Sequence, residues 1–359
     1  MGTRRLIISI LLMGIVLSSN GVNFPKESQV SCDLPPLPNT GGKAGMFAGV
    51  SHGKLVCMGG ADFPKGYPWE GGEKKWYDDL YIFDEEHDSW RYISEGMPTA
   101  MGYGVSVSYG EKIWIVGGSN AQRHLSATWS LEYREGKIKW EQQLPLPHTL
   151  ANMSGVVVGS LLIVVGGMET PTSLALHCCY ALDLDEPKSG WFSLPAWPGA
   201  ERIFPICGSY EGRFYMFSGE NTIENLEGKR HRNILHDAYC FYPWKDGDRW
   251  TGEWKSLVDI PRGMSAGASP VPLVNGEKFR FWGGVDRVTA LHTDPVTHPG
   301  IPSTVLWYYP ATDSWQYDVK DSYDRGRVTL PTVLYRGHHY YISGEIKPGI
   351  RTNSIRAIR

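Results

Sequence analysis

Short apolar runs, each closed by a small-residue doublet, set the pattern of this chain. Residues 54–58, 112–116, 161–165 and 213–217 stand directly before Gly59-Gly60, Gly117-Gly118, Gly166-Gly167 and Ser218-Gly219, and Gly283-Gly284 and Ser343-Gly344 complete the series. Runs this short, rich in β-branched and aromatic residues and bounded by glycine, predict strands. Behind each doublet comes a variable stretch, then a further strand such as residues 79–83, then one marked by Trp90, Trp140, Trp191, Trp254 or Trp315. Alanine and leucine at helical spacing are scarce after the first twenty residues. The chain therefore reads as all-β, with one four-stranded unit used six times.

The doublets recur at intervals of 49 to 65 residues, close to the kelch period of about 50. The chain thus resembles the kelch proteins, and the resemblance implies a six-bladed β-propeller over residues 27–359. Only 15 residues follow Gly344, enough for a loop and a third strand over 353–358. The missing fourth strand is expected at the other end. Leu34-Pro35-Pro36-Leu37-Pro38 repeats the spacing of Leu194-Pro195-Ala196-Trp197-Pro198, which puts Ser31 where Trp191 stands. Residues 30–34 are therefore expected to pair with the last blade and close the ring, since an open propeller leaves apolar blade faces and strand edges exposed.

Composition narrows the function classes. The 359 residues carry a formal charge of −3 with 42% hydrophobic and 20% charged residues, an ordinary globular balance. The one basic block, residues 229–232, is too small a footprint for a nucleic-acid partner. At the start, Arg4-Arg5, an apolar run over 6–17 and Ser18-Ser19-Asn20-Gly21 follow the order of a secretory signal. This predicts a cleaved signal peptide over 1–19, a linker over 20–26, and a periplasmic or secreted protein. The apolar run of 12 residues falls short of the ~20 of a spanning helix, so no membrane anchor is expected. The six cysteines fit no metal pattern or disulfide framework and read as buried free thiols.

The long segments 61–77, 220–236 and 285–303 fall after doublets, which places them on one face of the disc, and insertions gathered on one face mark the binding face. Asp62, Glu70, Arg123, Glu169, Glu220, Asp286, Arg287, Glu345, Lys347 and Arg351 stand in these post-doublet loops, and Lys43, Arg202, Arg262 and Arg327 in the blade-to-blade connections. Several cations with one or two carboxylates suit a small anionic polar ligand. Arg202, Arg262, Arg327, Lys43, Asp62 and Glu220 are the candidate ligand-binding residues.

The last loop, Ser343-Gly344-Glu345-Ile346-Lys347-Pro348-Gly349-Ile350-Arg351-Thr352, resembles the G-E-x-K-P-G-x-R-T signature of the N-acetylneuraminate epimerases, the kelch mutarotases of sialic acid. Gly59-Gly60-Ala61-Asp62-Phe63-Pro64 and the stretch from Glu70 to Asp79 are similar to that family as well. The C-terminal place of the signature is like that of its cyclically permuted branch. The resemblance implies that Glu345 is the proton acceptor, that Arg351 is an active-site residue, and that the substrate is sialic acid, with a homodimer left open. A glutamate is ionised near neutral pH and can serve as base, and a guanidinium fork matches the substrate's carboxylate. Ring opening needs no metal or organic cofactor, and none is expected; the eleven histidines form no metal-ligand spacing. The alternative is a non-catalytic exported propeller that binds a protein or an acidic glycan. A sialidase would need S-x-D-x-G-x-x-W boxes, and a copper radical oxidase a Tyr, His and Cys ligand set; neither is found. On position alone, Glu345 and Arg351 read first as a loop ion pair.

Overall fold

The computed structural model describes residues 33–224, 227–318 and 325–358. The expected signal peptide and linker, and residues 30–32 of the expected closing strand, lie outside the described residues. Five four-stranded antiparallel sheets and one three-stranded sheet form six blades of a β-propeller. They span residues 47–93, 105–143, 154–193, 206–257, 273–318 and 332–358, and are called blades 1 to 6. The predicted apolar runs are the second strands: Lys54–Met58, Lys112–Val116, Leu161–Val165 and Arg213–Phe217, joined by Lys278–Trp282 and His338–Ile342. Such a strand is covered on both faces by its neighbours and so loses polar alternation. Leu161–Val165 is buried at every position, whereas the outer strand Ser89–Ile93 is buried at none.

Hydrophobic clusters lie between blades rather than within them. Phe47, Met58 and Ile82 of blade 1 pack on Ile113, Ile115 and Leu131 of blade 2, and Leu161 and Ile163 of blade 3 pack on Phe214 and Met216 of blade 4. Blades 6 and 1 share a cluster of the same kind through Val333, Tyr340, Ile342, Leu55, Cys57 and Tyr81. Cys57, Cys179, Cys207 and Cys240 are buried free thiols; Cys178 is free and half-buried.

Backbone hydrogen bonds repeat around the circle and show the closure. The second residue of each doublet donates its N–H to a carbonyl in the next connection: Gly60 to Met101, Gly118 to Leu150, Gly167 to Arg202, Gly219 to Met264, Gly284 to Arg327 and, across the seam, Gly344 to Lys43, all at 2.8 to 3.1 Å. Inside this runs a second circle. Tyr103 donates to Gly45, Asn152 to Tyr103, Phe204 to Asn152, Ala266 to Phe204, Thr329 to Ala266 and Gly45 to Thr329. All six sit at positive φ, between 51° and 64°. That conformation costs a non-glycine residue on the order of 1 kcal/mol or more, and the continuous circle of bonds holds it. At Gly45 a Cβ would stand 2.7 Å from the Tyr103 ring, so this link of the circle requires glycine.

At the seam, described residues 33–37 bond to the last blade. The Leu37 N–H donates to Asn353 O at 2.9 Å, Asn353 Nδ2 returns a bond to Leu37 O at 2.9 Å, and Asp33 Oδ1 accepts from the Ala357 N–H at 2.8 Å. Leu37 is fully buried, as is its counterpart Trp197. The strand-four tryptophans reach back one blade: Trp140 donates to Gly96 O, Trp254 to Pro195 O, Trp315 to Val258 O, and Trp90 to Pro35 O. Pro35 thus takes the place in blade 6 that Pro195 takes in blade 3. Trp191 also reaches the preceding blade, through Thr128 Oγ1.

Candidate functional site

The four cations of the connections point into the blades. Lys43 is buried, and its ammonium donates to Asp79 at 2.6 Å and to the Tyr81 hydroxyl at 3.1 Å. Arg202, also buried, spans both oxygens of Asp237 at 2.8 and 2.7 Å and caps Ser218 O at 2.9 Å. Arg327 caps Ser343 O at 3.2 Å and Ser354 O at 2.8 Å, and Arg262 caps Gly283 O at 2.9 Å. The arginines bond carbonyls of the first doublet residue or of the residue just before the third strand, which end a strand pairing and need a donor; Lys43 instead pairs with the Asp79 carboxylate. All four serve the blades at the positions where a ligand role was expected.

The mouth is walled by hairpins behind the doublets. Glu345–Lys347 pairs with Ile350–Arg351, and this pairing sets Glu345 directly opposite Arg351. Arg351 Nη2 lies 2.8 Å from Glu345 Oε2, with side chains 6% and 20% exposed. The guanidinium carbon stands 4.6 Å from the centre of the Phe63 ring of blade 1, and Arg351 Nε and Nη1 have no hydrogen-bond partner among the described residues. Gly349, at φ +74°, turns the hairpin; a Cβ there would stand 2.8 Å from Pro68 and Trp69 of the blade 1 loop. Burial pushes the Glu345 carboxyl above the usual glutamate range, against the opposing pull of the Arg351, Lys74 and Arg232 charges.

Asp62 and Glu220 also reach the mouth region. Asp62 Oδ1 accepts the Tyr77 hydroxyl at 2.8 Å, and burial raises its carboxyl against the charges of Lys43, Arg351 and Lys75. Glu220 is the blade 4 counterpart of Glu345: each follows Ser-Gly and forms an isolated bridge to its connection, at Ile203 and Val328 respectively. Both Glu220 oxygens are taken by Arg232, at 3.0 and 2.5 Å. The outer loop charges do local work. Asp286 caps the short helix Arg287–Leu291, Glu70 Oε2 accepts the Tyr67 N–H, Lys347 donates to Val296 O, and Glu169 lies 3.3 Å from His148.

Two residues not singled out from the sequence act on the site. Lys74 lies over the Tyr103 ring at 3.9 Å, and Arg232 holds Glu220; both charges are felt at Glu345. Lys74 stands in the stretch similar to the epimerases, which was a usable signal; Arg232 stood in the basic block and carried none. Among the described residues no cluster of three or more metal-ligating side chains occurs, and no helix is long and apolar enough to cross a membrane.

Fold and mouth together define a six-bladed propeller with a carboxylate-bearing polar site. No family model matches the chain. Curated proteins named N-acetylneuraminate epimerase from Salmonella enteritidis PT4 and Salmonella typhi are each 41% identical to it over 118 residues, covering 29% of this chain and 30% of theirs. The protein of that name from Haemophilus influenzae is 27% identical over 193 residues, 48% of this chain and 49% of its own length. The chain thus has relatives in the group its last loop resembles, and matches under half the length of each.

Proposed function

We propose that this protein is an exported mutarotase that interconverts the α and β anomers of N-acetylneuraminate. The observation that carries the reading is the Glu345–Arg351 pair, half-enclosed at the mouth at 2.8 Å, in a chain with relatives named for that reaction. Arg351 has two buried nitrogens without partners, and a sugar carboxylate would satisfy such donors. Glu345 takes the proton of the anomeric hydroxyl as the bond to the ring oxygen opens, and returns it when the ring closes on the other face. General acid–base catalysis contributes roughly 10²- to 10⁴-fold, a useful gain on a reaction that already runs in water. Lys43, Arg202 and Arg327, committed to the blades, are left out of the ligand set; Arg262 gives Nη2 to Gly283 O and keeps Nε and Nη1 without a partner among the described residues.

The test is exchange NMR on α-N-acetylneuraminate freshly released by a sialidase. Faster approach to anomeric equilibrium is expected with the protein present. An unchanged rate with folded protein overturns the reading and leaves a binding propeller. Fractionation of cells producing the full chain checks the proposed export.

A further inference from the structure

Ring opening requires two proton movements, and Glu345 accounts for only one. As the bond between anomeric carbon and ring oxygen breaks, the ring oxygen receives its electron pair and must gain a proton; on reclosure it gives that proton back. Resting on the mutarotase reading, we propose that Asp62 is the general acid of this site, donating its proton to the ring oxygen on opening and recovering it on closure. No net proton is consumed and no co-reactant is needed.

Two other carboxyl groups of the region are committed. Both oxygens of Glu220 are held by Arg232, and Asp79 accepts from the ammonium of Lys43 and the hydroxyls of Tyr81 and Tyr92. Each of these two is held by a cation, which favours its ionised form. Asp62 differs: the Tyr77 hydroxyl on Oδ1 orients it, and Oδ2 accepts no hydrogen bond from the described residues. The next residue, Phe63, lies against the Arg351 guanidinium, and the charge of Arg351 acts on Asp62 as well. Lys43, Arg351 and Lys75 act on Asp62 from the connection, the last hairpin and its own hairpin, with Tyr77 the other titratable neighbour. Burial outweighs their pull and raises the Asp62 carboxyl above the ordinary aspartate range, the direction an acid requires.

Asp62→Asn in the full chain, followed by exchange NMR over roughly pH 5 to 9, tests the assignment. We expect a fall in rate of about 100-fold or more, retained sugar binding by saturation-transfer NMR, and loss of the alkaline decline that a general acid imposes. Tyr77→Phe removes a bond that favours the ionised form, so its alkaline limb should move to higher pH; a structural role for Asp62 would not shift it. A rate within threefold of the unmodified protein in Asp62→Asn, or an unmoved limb in Tyr77→Phe, overturns the assignment while Glu345→Gln remains inactive. A chain with no acceleration of its own overturns the mutarotase reading and this assignment together.

Discussion

At the residue scale, the chemistry rests on a carboxylate whose environment works against its charge. Burial raises the Glu345 carboxyl above the ordinary range, and a general base acts only when deprotonated. The rate should therefore fall as pH drops through this raised value, so the acid limb is expected above the usual glutamate range of about 4.3. A rate profile flat down to that range would contradict the assignment. Glu345→Gln should remove at least 100-fold of acceleration, on the order expected for a lost acid–base group, and leave sugar binding measurable. Arg351→Lys keeps the charge but loses the planar fork; it should raise KM more than it lowers kcat in NMR-monitored kinetics. Glu345 and Arg351 were legible because their signature is contiguous. Asp62 was legible as a candidate ligand-binding residue in a stretch similar to the epimerases, but not as an acid, since neither its orientation by Tyr77 nor its second oxygen is written in local order.

At the element scale, the repeating device is a doublet that ends one strand and a connection that caps it. Arg202, Arg262 and Arg327 cap carbonyls there and Lys43 pairs with Asp79, which explains their recurrence at similar places in the repeat. Burial raises the Asp237 carboxyl, but the Arg202 bonds more than offset this and leave it below its ordinary range. A lowered folded-state value means stability that is present above the unfolded carboxylate range and lost as pH falls through the folded one. Asp237→Ala strands a guanidinium that is 0% exposed and should lower the unfolding free energy by about 3 kcal/mol, read as a reduced urea midpoint. The folded fraction should keep its mutarotation rate. No change in midpoint would show that Arg202 is served by other groups. These cations are expected at the mouth from the sequence because periodicity reports that a residue lies in a connection and is silent on which way its side chain turns.

At the scale of the whole molecule, stability depends on a closed circle. The seam bond from Gly344 to Lys43 is equivalent to the five others, and Leu37 fills the last interblade cluster. Leu37→Ala should cost roughly 2 to 5 kcal/mol, as for other buried leucines, measured by urea unfolding. An exposed-site value below about 0.5 kcal/mol would mean that the seam does not carry the load assigned to it. The seam also explains the site: the Arg351 hairpin belongs to blade 6 and Phe63 with Asp62 to blade 1, so the two halves of the mouth meet only because the chain ends meet.

The sequence by itself determined the all-β class, the blade number and the equivalence of Pro35 with Pro195 at the seam. Strand length, glycine placement and tryptophan spacing are local and repeat along one dimension. Tertiary structure alone decided which charges meet. Glu345 and Asp62 share the field of one guanidinium, while Lys43, Arg202, Arg262 and Arg327 turn inward. The reason is physical: a buried ionic group takes whichever partner repays its lost hydration, and that partner can lie at the opposite end of the chain.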